Sequence, residues 1–239
     1  MPAHTSPPST TPPRPAAVAV VLRSQPLSPN RLEVLLLQRN PQLPHFGGTW
    51  AFPGGAVDPG DHDHPILAPA AATAVRETHE ETGLALDPHS LRACARWITP
   101  DHYPSRGRFD ATYFLASPQD ATQNIHLAPD EATAAQWLSA ESALQAHAAG
   151  ALPLTPPVYV TLTELTRFER YADALDELCT TPPCLYYPRP VAVPTGTVFL
   201  YPGDAGYAQW NPQAPGPRHR LHASQTGFRR YERESAAPT

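Results

Sequence analysis

Short apolar runs separated by proline- and glycine-rich breaks set the rhythm of this chain. Ala16 to Leu22 is an apolar run of the length of a buried strand, and Leu32 to Gln38, with Leu35-Leu36-Leu37 at its centre, is a second. Trp50-Ala51-Phe52, Leu91 to Thr99, Asp110 to Ala116 and a short stretch opening at Trp137 extend the series. Between them the pattern changes period. From Pro69 the chain is alanine-rich, and Ala71, Ala74, Val75, Thr78 and Thr82 fall on one side of a helix. Pro69 suits the first turn and Gly83 the left-handed stop, with Leu84 folding back on the last turn. A second helix is predicted over Glu141 to Ala149, with Ser139 as N-cap and Gly150 as terminator. A longer one is predicted over Val158 to Leu178, with Glu164, Glu169 and Arg170 on a solvated face. Further on, Val191-Ala192-Val193 and Thr197 to Tyr201 are expected to pair as a hairpin.

The remaining segments read as connections. Arg23 to Arg31 is a hairpin-type loop, Asn40 to Gly48 is rich in Pro and Gly, and Pro100 to Gly107 carries Asp101, His102, Tyr103 and Arg106. With 239 residues, 41% of them hydrophobic, the chain fits one α/β domain with an extension. The 32 prolines argue for irregular ends. The division expected is a disordered Pro-rich tail over 1–15, a domain over 16–178, and an extension over 179–239 that packs on the core or helps a homodimer. In that extension, Arg218-His219-Arg220 and Arg229-Arg230 read as solvated, with phosphate contact as the alternative.

Charge and cysteine use narrow the classes. A net charge of −5 gives no footprint for general nucleic-acid binding. Cys94, Cys179 and Cys184 are too few and too irregular for a disulfide framework or zinc site, which fits a reducing cytoplasm. No apolar run approaches membrane-spanning length, and Met1 to Pro15 lacks the apolar core of a signal peptide.

The chemistry concentrates in Arg76-Glu77-Thr78-His79-Glu80-Glu81-Thr82-Gly83-Leu84. Glu77, Glu80 and Glu81 stand at i, i+3 and i+4, on one side of a helix, where like charges repel. A hard divalent cation such as Mg²⁺ or Mn²⁺ turns that crowding into a site, because it prefers carboxylate oxygens and brings substrate phosphates with it. Arg76 stands four residues before Glu80 and can brace it. Upstream, Gly54-Gly55 let backbone pass close to the helix. The insert Asp61-His62-Asp63-His64 reads as a solvated polar loop, and Arg108 with Asp110 as a structural pair.

Arg-Glu-x-x-Glu-Glu-x-Gly-Leu, preceded by Phe52-Pro53-Gly54-Gly55, resembles the signature of the Nudix hydrolases. The spacing departs from the family pattern: Asp61 stands where a first Glu is expected, and Arg76 comes later, with 61–69 as the insert. Asp58 or Asp61 is then the replacement for that Glu. The resemblance implies an α/β/α sandwich with a mixed sheet, and metal-dependent hydrolysis of a nucleoside diphosphate linked to a second group X. It implies Glu77, Glu80 and Glu81 as ligands of Mg²⁺ or Mn²⁺, a Gly54 carbonyl aimed at metal, and Arg76 orienting a carboxylate. Glu131, six residues before Trp137, matches a family Glu near the metals, so Glu77 or Glu131 takes the proton from the attacking water. Arg39, Tyr103 and Arg106 are the candidate substrate contacts.

Val34 to Arg39, Gly48 to Asp58, Arg96 to Pro100 and Arg108 to Leu115 resemble the branch that contains the mammalian peroxisomal coenzyme A diphosphatase. That resemblance implies coenzyme A or an acyl derivative as substrate, although the coenzyme A motif has an Arg where this chain has Pro44. ADP-ribose, NADH and nucleotide sugars are the alternatives, and a ligand-sensing domain without catalysis is a further one.

Overall fold

A computed structural model describes residues 12–25, 28–44, 46–101 and 107–234. Strands β1 (Arg14–Gln25) and β2 (Ser28–Arg39) form a long antiparallel pair. The expected loop from Arg23 to Arg31 is thus mostly strand, because cross-strand partners continue to its tip. Arg23 and Glu33, directly opposite each other, form an ion pair of 2.8 Å. β1 starts at Arg14, inside the segment expected as tail, and residues 1–11 lie outside the described part.

The remaining strands of the main sheet are β3 (Trp50–Ala51), β4 (Gly54–Ala56), β5 (Arg92–Ile98), β6 (Phe109–Ala116), β7 (Ala132–Leu138) and β8 (Cys184–Tyr186). Their order is β3-β2-β1-β6-β5-β8, with β4 paired to β1 and β7 to β2. The β1–β6 and β5–β8 pairs are parallel and the others antiparallel, so the sheet is mixed. β7 begins well before Trp137, because 132–138 pair with β2 along its length.

Period-two alternation sorts the side chains to two faces. Ala17, Ala19, Val21, Leu35, Leu37 and Phe114 face helix α1 (Pro69–Thr82), which lays Ala71 and Ala74 against them. Val20, Leu22, Val34, Leu36 and Leu115 face the opposite way, toward α2 (Ala140–Ala148) and α3 (Pro156–Leu165). The alanines of α1 let the helix axis approach the sheet closely, which puts the adjacent glutamates next to β4.

The single helix predicted over Val158 to Leu178 is two, α3 and α4 (Tyr171–Leu178). The hydroxyls of Thr163 and Thr166 bond back to the carbonyls of Tyr159 and Thr163, competing with helical continuation, and Phe168 turns inward to be buried. Glu164, expected in solvent, is 6% exposed and takes Arg167 at 2.7 Å and Arg233 at 3.4 Å.

The C-terminal segment builds a second, antiparallel sheet. Its strands β9 (Arg189–Val193), β10 (Gly196–Leu200), β11 (His219–Ser224) and β12 (Gly227–Arg233) are ordered β12-β11-β10-β9. Phe199, Leu221, Phe228 and Tyr231 join the larger core. Arg220 and His219, read as solvated, are buried. Arg220 makes two bonds of 2.7 Å to the Asp204 carboxylate, and His219 sits among Tyr186, Tyr201 and Tyr231. Both neighbours are buried despite the alternation of a strand, because each face offers partners distant in sequence: Asp204, from the loop 201–218, for Arg220, and the rings of Tyr186, Tyr201 and Tyr231 for His219.

Candidate active site

Arg76 is the hub of the site. Its Nε and one terminal nitrogen donate to the two oxygens of Asp61 at 2.9 and 3.0 Å. Its other terminal nitrogen donates to Glu77 at 3.0 Å and to Glu80 at 2.9 Å. The bidentate pair joins the insert to the helix. Asp61 is buried and also accepts from the Asp58 N–H at 2.9 Å and the Thr73 hydroxyl at 2.8 Å. Asp58 stands 3.8 Å from the guanidinium, so Asp61 is the aspartate that engages Arg76 closely. The Arg76 hydrogen bonds hold the Asp61 carboxyl well below the ordinary carboxylate range and keep the guanidinium charged. The reading of 61–64 as a solvated loop therefore fails at Asp61. The segment 59–63 is a 3-10 turn whose carboxylate points inward because the Arg76 fork gives it a charged, two-point partner.

The three glutamates occupy three environments. Glu80 is exposed, Glu77 half-buried and Glu81 7% exposed. Burial pushes the Glu77 carboxyl up. Burial, opposed by the Gly54 N–H and reinforced by the charges of Glu77 and Glu131, pushes Glu81 up to about 8. The Gly54 N–H donates to the Glu81 carboxylate at 3.0 Å, so the observed contact from Gly54 is made by its amide.

Two glycines serve two close approaches, Gly55 that of Glu77 and Gly54 that of strand β1. At Gly55 an added Cβ would lie 2.2 Å from a Glu77 carboxylate oxygen. At Gly54 it would lie 2.4 Å from the Ala17 carbonyl oxygen, in a backbone with φ +156. The strand edge therefore forms a cradle for the carboxylate that any larger residue would fill.

Glu131 reaches the cluster through the end of the helix. The Thr82 carbonyl accepts from His126 N at 2.8 Å and the Glu81 carbonyl from Ala128 N at 3.3 Å. These bonds use acceptors that a helix terminus leaves unpaired. They lay 126–131 along α1, and Asn40 N closes the turn by donating to the Glu131 carbonyl at 2.8 Å. Glu131 is exposed and close enough for its charge to raise both Glu77 and Glu81. Arg39, at the end of β2, acts on Glu81 in the opposite sense.

Of the residues singled out from sequence, Arg76, Glu77, Glu80, Glu81, Gly54, Glu131 and Arg39 gather here. Tyr103 and Arg106 lie outside the described residues. Arg108 and Asp110 part company: Asp101 pairs with Arg108 at 2.5 Å and Asp110 with Arg96. Arg96 stands opposite Thr112 and Asp110 opposite Ile98, so the two are diagonal neighbours across the β5–β6 pair, which spacing within one strand does not reveal.

Among the described residues, no set of three or more His, Cys, Asp or Glu side chains is drawn together closely enough to hold a metal ion. The donor chemistry nevertheless fits one. The donors are hard carboxylate oxygens, those of buried Glu81 and half-buried Glu77 both raised by desolvation, beside a glycine that leaves no room for a Cβ.

The NUDIX domain model matches residues 12–156, more than half of the chain. A Mycobacterium tuberculosis protein named as an 8-oxo-dGTP diphosphatase is 39% identical over 77 residues, covering 32% of this chain and 31% of that protein. The chain therefore spans about a third of that relative's length. The asymmetrical bis(5'-nucleosyl)-tetraphosphatase of Mus musculus is 34% identical over 115 residues, covering 48% of this chain and 69% of that protein. Among solved structures, a NUDIX hydrolase from Alicyclobacillus acidocaldarius superposes with a TM-score of 0.62 at 28% identity, over 71% of this chain and 98% of that one.

Proposed function

The chain belongs to the NUDIX family, and we propose that it is a metal-dependent hydrolase of a phosphoanhydride bridge in a nucleotide whose diphosphate is linked to a second group X. The observation that carries this reading is the pair of half-buried Glu77 and buried Glu81, both raised by desolvation and by the charge of Glu131, on a helix clamped by Arg76. Such a set is poorly satisfied by itself and suited to a cation with phosphate oxygens on its far side.

In this reading Glu77, Glu80 and Glu81 hold Mg²⁺ or Mn²⁺, which when bound neutralises phosphate charge and lowers the pKa of water. The chain's own residues supply orientation and proton transfer. Arg76, held in place by Asp61, fixes Glu77. Glu77 or Glu131 accepts the proton of the attacking water as an oxygen–phosphorus bond forms and the bridging oxygen–phosphorus bond breaks. Arg39 lies beside Glu81 and is placed to meet a phosphate. The complete acidic set supports turnover over ligand sensing alone.

For X, the reading favours a second nucleoside over coenzyme A. A relative matched over 69% of its length is named for dinucleoside tetraphosphates, and Pro44 stands where the coenzyme A motif has Arg. The test is a hydrolysis panel with Mg²⁺ and Mn²⁺: diadenosine tetraphosphate, 8-oxo-dGTP, coenzyme A, ADP-ribose, NADH and a nucleotide sugar, with products identified by mass. Metal-dependent cleavage within a phosphoanhydride of at least one compound, abolished in Glu81→Gln, is expected. Cleavage that persists in chelator, or full activity of Glu80→Gln and Glu81→Gln, would sink the assignment.

A further inference from the structure

We propose that Asn40, the residue that follows β2, is a positioning residue of the active site: it fixes the backbone on both sides of Glu131, so that the Glu131 carboxylate is held where it takes the proton of the attacking water. The proposal rests on the phosphoanhydride hydrolase reading and, within it, names Glu131 rather than Glu77 as the base.

Each polar group of Asn40 is engaged, and its bonds divide between two segments. Its backbone N–H donates to the Glu131 carbonyl at 2.8 Å, and its own carbonyl accepts from Leu43 N at 3.0 Å. Its side-chain nitrogen donates to the carbonyls of Pro129 and Asp130, at 3.2 and 3.4 Å. Its side-chain oxygen accepts from Gln42 N at 2.9 Å. Asparagine carries a donor and an acceptor on one short side chain, and both are used here. Asn40 thus ties the loop 40–48 to the segment 128–131.

The consequence falls on Glu131. Its N–H donates to the Ala128 carbonyl at 3.0 Å while Asn40 takes its carbonyl, so the peptide groups on both sides of its Cα are held. The two carbonyls that precede it share the Asn40 amide. Upstream, His126 N on the Thr82 carbonyl and Ala128 N on the Glu81 carbonyl seat the segment on the end of α1. Downstream, the register of β2 with β7 shifts between Gln38 and Arg39, which leaves Thr133 as an extra residue and bends the strand just after Glu131. Without the Asn40 ties, 129–131 is a surface turn, and an exposed glutamate on it samples many positions. A group that takes a proton in the transition state has to lie within hydrogen-bond reach of that proton, and holding it there in advance removes ordering entropy from the barrier. Glu77 is engaged by Arg76 at 3.0 Å, inside the acidic set. Glu131 arrives from outside that set, exposed, at a distance where its charge still acts on Glu77 and Glu81.

The test has two readouts. The first is backbone amide exchange by NMR in metal-free protein, which needs no turnover. In Asn40→Ala the amides of Glu131 and Ala132, both bonded to the Ala128 carbonyl, should exchange about fivefold faster, the size of one hydrogen bond. Those of α1 should exchange as in the wild type. Unchanged exchange at Glu131 and Ala132 overturns the proposal. The second is kinetic, with Mn²⁺ and the panel compound that the wild type cleaves fastest. Asn40→Ala should lower kcat about tenfold at unchanged KM, and Glu131→Gln about a hundredfold, the range of a general base. In the Glu131→Gln background, Asn40→Ala should lower kcat by less than about twofold, because a residue that acts through Glu131 has nothing left to position. Wild-type kcat in either single variant, or the same loss from Asn40→Ala in both backgrounds, overturns the proposal and leaves the hydrolase reading standing. So does a raised KM at unchanged kcat, which would make Asn40 a substrate contact. If Asn40→Ala does not fold, Asn40→Ser decides by the same readouts, since it keeps a hydroxyl for the Gln42 N–H and loses the amide that reaches 129–130. If the wild type cleaves no compound of the panel, the hydrolase reading fails and the choice of base fails with it, and amide exchange still decides whether Asn40 holds the Glu131 turn.

Discussion

Asp61 and Arg76 meet in a two-point ion pair of 2.9 and 3.0 Å, and this pair sets the position of the glutamates beyond it. The guanidinium is filled on one side by Asp61 and turned on the other toward Glu77 and Glu80. Removing Asp61 would leave a partly buried guanidinium free to collapse onto the catalytic carboxylates. For Asp61→Ala we expect a loss of about 3 kcal/mol in urea unfolding, the order found when one partner of a buried pair is removed. A loss below about 0.5 kcal/mol would mean that the pair is replaceable by solvent.

The same pair gives a pH signature. The folded-state pKa of Asp61 is depressed, so its stabilisation is present in full above the unfolded value near 4 and declines as pH falls through the folded one. The stability difference between wild type and Asp61→Asn should therefore be constant from pH 5 to pH 7, by order of magnitude. It should shrink on acidification below about pH 4. A difference that grows on acidification would reverse the sign of this linkage.

Glu81 carries the opposite sign. Its folded-state pKa, about 8, lies above the unfolded carboxylate value, so the native state binds the extra proton. Stability should fall as pH rises from the unfolded value toward about 8 in metal-free protein. Glu81→Gln should flatten that slope and raise the melting temperature at pH 8 by a few degrees, roughly 2–4 °C per kcal/mol. It should also abolish most of the turnover, by about a hundredfold or more. Melting curves in chelator across pH, set beside kcat with Mn²⁺, check both halves.

At Gly55 the expected effect falls on activity. An added methyl at Gly55 would meet the Glu77 carboxylate at 2.2 Å, and the far end of a side chain can swing away at little energetic expense. Gly55→Ala should change unfolding free energy by about 1 kcal/mol and lower kcat about a hundredfold, as expected when a reacting group is misplaced by an ångström. Equal kcat in the two proteins would show that Glu77 does not need its present position.

The C-terminal sheet can be tested through its buried charge pair. Arg220 and Asp204 are 5% and 0% exposed in their side chains. Arg220→Ala leaves a buried carboxylate with backbone donors but no charged partner and should destabilise by about 3 kcal/mol in denaturant unfolding. A change within 0.5 kcal/mol, the size of an ordinary surface substitution, would contradict the buried role.

Local chemistry made the catalytic helix legible from sequence. Pro69 at its first turn, the alanine face, Gly83 at its end and the i, i+3, i+4 glutamates are all short-range features, and the helix runs from Pro69 to Thr82 with Gly83 at φ 72. β1, β2, β3, β5 and β6 were legible for the same reason, since an apolar run or a period of two is a property of neighbours, whereas the three-residue strands β4 and β8 and the first part of β7 were not, being defined by the strands they pair with. What only the tertiary structure decided is which charged residues find one another. Asp61 looked like part of a polar loop until the 3-10 turn folded it under Arg76. Arg220 looked like tail until the loop after β10 brought Asp204 to it. The break between α3 and α4 depended on Phe168 finding a place in the core. Burial of a charge depends on a partner distant in sequence, and strand order and loop path supply that partner. No window of adjacent residues contains that information.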